Sequence, residues 1–62
     1  MITITKLNDK ELIINCEQIE SVESTPDTMI TMLSGRKYIA RESADEIVDM
    51  TIEYKRRIHR AK

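Results

Sequence analysis

The sequence predicts an α+β fold, a small antiparallel sheet of four or five short strands followed by one C-terminal helix. Ile2-Thr3-Ile4-Thr5 alternates apolar and polar residues with period two and is β-branched throughout, as a half-buried strand requires. The only glycine, Gly35, stands beside Ser34 between two β-type runs, where a hairpin needs a residue free to take positive φ. Beyond it, Ser43 and Glu46 have the spacing of a capping box ahead of apolar residues three and four apart.

The first strand is expected to run to about Leu7. Asn8-Asp9-Lys10 is turn chemistry, and Glu11 to Asn15 behind it forms a second β-type run, so the first unit reads as a hairpin. Cys16 to Thr25 fits two readings. Ile19 and Val22 are three apart, as on a helical turn, yet Ile19 to Glu23 equally suits an irregular strand. Thr25-Pro26-Asp27 then breaks the chain, because proline fixes its own φ and disfavours helix in the residue before it.

Thr28–Leu33 and Arg36–Ala40 form the second hairpin. With Ser34 and Gly35 as a two-residue loop, Leu33 faces Arg36, Thr31 faces Tyr38 and Met29 faces Ala40. Ile30 and Met32 then share the other face with Ile39 and Lys37. Both faces carry large apolar groups, one for the helix and one for a partner or a second copy.

The helix is expected over about residues 43–60, with all strands inside 1–41 and a single domain covering 1–62. Acids come first, at Asp45, Glu46, Asp49 and Glu53, and bases last, at Lys55, Arg56, Arg57, Arg60 and Lys62, an order that complements the helix dipole. Ile47, Met50, Tyr54, Ile58 and Ala61 form one apolar stripe, with Val48 and Ile52 in a second row beside it.

Composition narrows the function classes. Sixty-two residues give one small core that benefits from a partner, so self-association is expected. Cys16 is the only cysteine and His59 the only histidine, which leaves no disulfide and no zinc set. The N-terminus lacks the basic start and apolar core of a signal peptide, and no apolar run reaches the roughly eighteen residues of a membrane span. Ten basic against eleven acidic residues give no global field for nucleic acid, and two tyrosines offer no stacking platform. One glycine cannot build a phosphate loop. Cys16 with His59 is the only Cys–His pair available for nucleophilic catalysis, and a small semi-buried Cys16 with an exposed His59 is the simpler reading. No catalytic, cofactor-binding or metal-binding residues are therefore assigned. The basic helix end remains as a binding surface, led by Arg56 and Arg60 as the expected exposed pair, then Arg57, with the hairpin face around Met29 and Leu33 behind them.

The chain resembles the short flagellar proteins of the FlbD/SwrD-type motility family over nearly its whole length. The resemblance is carried by Ile4-Thr5-Lys6-Leu7-Asn8, Lys10-Glu11, Asn15, Ile19-Glu20, Thr25-Pro26-Asp27-Thr28, Ile30-Thr31, Gly35, Lys37-Tyr38 and Glu42-Ser43. Asp9 and Ser34 depart from it, standing where such proteins often have the glycine and the asparagine, respectively, of an Asn-Gly turn. The resemblance implies a cytoplasmic, non-enzymatic protein without cofactors that supports swarming by raising flagellar motor power. It also implies contact with the motor, its stator or stator assembly, and any membrane association only through such partners. The alternative is a small RNA-binding dimer like the carbon-storage regulators, which share its size and element order.

Overall fold

A computed structural model describes residues 1–60, without the side chain of Arg60. Two hairpin-based sheets and one helix make up the α+β fold. Strands β1 (Ile2–Thr5) and β2 (Glu11–Ile14) pair antiparallel, with Ile2 opposite Ile14 and Ile4 opposite Leu12. Strands β3 (Ile19–Glu23), β4 (Thr28–Met32) and β5 (Lys37–Ala40) form the second sheet in that order. The two sheets meet at one corner, through a bridge between Lys6 and Ala40 and a 2.8 Å bond from the Arg41 N–H to the Thr5 carbonyl. The expected strands are all present, divided between two sheets.

Both hairpins close with three-residue loops, which corrects the expected register of the second and moves the first turn from Asn8-Asp9-Lys10 to Leu7-Asn8-Asp9. In the second, the Gly35 N–H donates to the Met32 carbonyl and the Met32 N–H to the Arg36 carbonyl, so Leu33-Ser34-Gly35 is the loop. Met29 therefore faces Ile39, not Ala40, and Ile30 faces Tyr38. A shift of one residue turns every β5 side chain to the other face. The physical reason lies in the turn. A two-residue hairpin needs positive φ at its first central position, which Ser34 does not readily adopt, whereas a three-residue loop needs it only at the last, where Gly35 has φ 93°.

The first hairpin repeats the pattern with Leu7-Asn8-Asp9 as its loop and Asp9 at φ 66° in the place of Gly35. Its left-handed backbone is the setting in which glycine is favoured, consistent with the departure noted at that position. A Cβ at Gly35 would meet nothing within 4 Å, so Gly35→Ala carries only the backbone penalty, about 1–2 kcal/mol. Urea unfolding followed by circular dichroism should show that loss, and a smaller one for Gly35→Asn.

Residues 16–23 combine both sequence readings. Cys16–Gln18 is a single 3₁₀ turn, capped by Asn15, whose side-chain oxygen accepts from the Glu17 N–H at 3.0 Å. In β3, Ile19 pairs with Met32 but Ser21 with Thr31, leaving Glu20 as the extra residue of a bulge. The bulge puts Ile19 and Val22, three apart, on the same core-facing side.

Helix α1 (Ala44–Arg60) starts as its sequence indicates. The Glu46 N–H donates to Ser43 Oγ at 3.1 Å and the Ser43 N–H to Glu46 Oε1 at 2.9 Å, a complete capping box. Just before it, the Glu42 carboxylate accepts from the Thr5 N–H at 2.8 Å and the Thr5 hydroxyl at 2.7 Å, fastening the helix start to the end of β1. Partial burial pushes the Glu42 pKa up, but the Thr5 bonds and its own N–H outweigh it and hold it below the ordinary carboxylate value.

The core comprises Ile2, Ile4, Ile14, Cys16, Ile30, Met32, Ala40 and Ile47. Ile47 is the helix residue buried in it, and α1 packs chiefly on β1. The expected stripe is realised unevenly. Met50 and Tyr54 are half-buried against the core, Ile58 is exposed, and Ala61 lies outside the described residues. Val48 and Ile52 are each 50% exposed.

Candidate functional site

Along α1 successive residues turn by about 100°, so the helix has two flanks beside the line through Ile47. Met50, Glu53, Tyr54 and Arg57 occupy one flank, and the first residues of β1 lie beneath them. Together with Met1, Ile2 and Thr3 they line a groove of about 270 Å³. On the opposite flank Val48, Thr51, Ile52 and Lys55 face Cys16, Ile19 and Val22 across a second groove of about 310 Å³. Lys55 Nζ reaches Glu17 Oε1 at 3.5 Å, linking the helix to the 3₁₀ turn.

The structure separates the arginines that the sequence grouped. Arg57 lines the groove with Tyr54 and Met50, and its Nε donates to Glu53 Oε1 at 3.3 Å. Arg56 points to the other side of Glu53, with Nη1 3.8 Å from Oε2. Arg57 is the more exposed of the two, its side chain 76% accessible against 57% for Arg56, which reverses that part of the expected ranking. Sequence spacing gives direction around the helix but not the reach of a long side chain, and Arg57 extends past the stripe into solvent. The side chain of Arg60 lies outside the described residues, as does Lys62.

Met29 and Leu33 belong to a different surface. Met29 is half-buried on the outer side of β4, away from the core, in a dent of about 110 Å³ with Glu23, Thr25, Pro26 and Asp27. Leu33 is exposed in the β4–β5 loop, where its N–H donates to the Gln18 carbonyl at 2.7 Å. Neither residue joins the arginines in one site.

Cys16 is buried, and the polar group within reach of its sulfur is the N-terminal ammonium at 3.9 Å, while His59 is exposed at the far end of the helix. Among the described residues no group of three or more His, Cys, Asp or Glu is arranged to hold a metal ion. A cleft of about 420 Å³ at the start of α1 contains Arg41 and Glu46. Arg41 engages Asp9 and the Leu7 carbonyl, and Glu46 engages Ser43, so these polar groups satisfy one another. Tyr38 and Tyr54 are both half-buried against the core. No helix among the described residues is long and apolar enough to cross a membrane.

The groove beside Arg57 has the composition of an interface centre, a tyrosine and methionines with an arginine at the rim. The sequence placed Met50 and Tyr54 in one stripe and Arg57 in the basic helix end beside it. Their junction with Met1, Ile2 and Thr3 required the packing of α1 on β1, which no local pattern encodes. A family model described as FlbD, flagellar and swarming motility proteins, matches residues 1–59. No curated protein and no solved structure matches the chain.

Proposed function

Because this chain belongs to the FlbD family of flagellar and swarming motility proteins, we propose that it supports swarming by raising the power available to the flagellar motor, acting in the cytoplasm through contact with the stator or its assembly. It does so without catalysis, by docking an acidic segment of its partner in the groove between β1 and the C-terminal half of α1. The observation that carries this reading is the exposed guanidinium of Arg57 at the rim of a groove floored by Met50, Tyr54 and Ile2. A planar guanidinium suits bidentate contact with a carboxylate, and the half-buried tyrosine supplies rigid apolar area beside it.

Arg57→Glu tests the reading. An exposed helical charge contributes only about 0.3–0.5 kcal/mol, so the variant should fold as the parent does. Swarm expansion should fall strongly while the far-ultraviolet spectrum and the number of flagella stay unchanged. Arg56→Glu, on the other side of Glu53, should have the smaller effect. Full swarming by a folded Arg57→Glu protein would exclude this groove and turn attention to the Met29 and Leu33 surface.

A further inference from the structure

The second flank of α1 carries its own pattern. Asp45, Val48, Ile52 and Arg56 follow one another at three- and four-residue steps, with Asp49 next to Val48, and all five are exposed. The row is acidic at its N-terminal end, apolar in the middle and basic at its C-terminal end. Asp45 and Asp49 have no ion-pair partner among the described residues, and Arg56 has only the 3.8 Å contact with Glu53. A row of this kind is complementary to itself reversed. Two copies related by a two-fold axis near the middle of Val48 and Ile52 would set Val48 against Ile52 of the other chain and Asp45 against Arg56, twice over.

The floor of the groove beside this row also has unfinished packing. Ile19 and Val22 point to the core side of β3, yet both remain only half-buried because α1 lies over β1 and leaves the β3 edge uncovered.

We propose that the occupant of this flank is a second copy of the chain, joined through an antiparallel, two-fold pairing of α1 along Asp45, Val48, Ile52 and Arg56. The groove that holds Arg57 lies on the opposite flank and stays open in such a dimer, so the pairing does not depend on the motility partner.

Sedimentation equilibrium of the full chain at micromolar concentration should give twice the 7.2 kDa chain mass. Ile52→Asp should give a folded monomer, because the residue is exposed and its substitution leaves the core intact. Asp45→Arg and Arg56→Asp should each weaken self-association by about tenfold, since both reversals place like charges together at two symmetric points. Mixing these two variants in equal amounts should restore a dimer, because each chain then meets its opposite charge at both ends. A monomeric parent chain, a dimer that survives Ile52→Asp, or a mixture no tighter than the separate variants would each overturn the proposal. The single reversals also separate this antiparallel register from a parallel or edge-strand pairing, in which neither of them would weaken association relative to the parent.

Discussion

Replacing Ile47 by alanine is expected to cost about 2–5 kcal/mol and to release the helix from the strands. Ile47 is 1% exposed and is the helix residue buried in the core with Ile4 and Ile30. The other apolar residues of α1 are half-buried or exposed, so none of them can substitute for its contact. A domain of this size holds on the order of 3–9 kcal/mol of stability, and a loss at the upper end of the range would unfold most of the population. Circular dichroism with urea should show a much lower midpoint for Ile47→Ala. Ile58→Ala, at an exposed position of the same stripe, should leave the midpoint nearly unchanged. Equal losses at both positions would mean that the helix docks over its whole length.

Glu42→Ala is expected to lose about 1–3 kcal/mol by leaving the Thr5 N–H at the end of β1 without its acceptor. The carboxylate fastens the start of the helix to the first hairpin, so the loss should appear as reduced hydrogen-exchange protection at both places. Its pH dependence has a definite sign. The folded pKa lies below the ordinary value of 4.5, so the stabilisation is complete above that value and is lost as pH falls through the lower folded pKa. The stability difference between the parent and Glu42→Ala should therefore shrink on acidification. A difference that stays constant as the carboxylate protonates would show that its charge is not what Thr5 binds.

Local chemistry was legible in the sequence wherever it is written in adjacent residues. The capping box at Ser43 and Glu46, the break at Pro26 and the glycine of the second hairpin all stand where their side chains require. Register was legible only in part. Ser34-Gly35 marks a hairpin, but its loop length depends on which residue takes positive φ, and Ser34 does not. The same geometry at Asp9 is hidden because aspartate tolerates positive φ without announcing it. The spacing of Ile19 and Val22 suggested a helical turn because a bulge at Glu20 gives a strand the same effect. Glu42 was visible as the first of the acids ahead of the basic helix end and in the resemblance, but its role was not, since its partner Thr5 is 37 residues away. The candidate groove was illegible for the same reason, as it forms where the helix crosses the beginning of β1.

The proposed motor role is tested most directly by the torque of single flagellar motors, read from beads turned by flagellar stubs on cells that lack the chain. Torque should be lower than in cells that carry it, at equal flagellar number, and should return with the parent protein but not with Arg57→Glu. Unchanged torque in the absence of the chain would contradict a role in motor power.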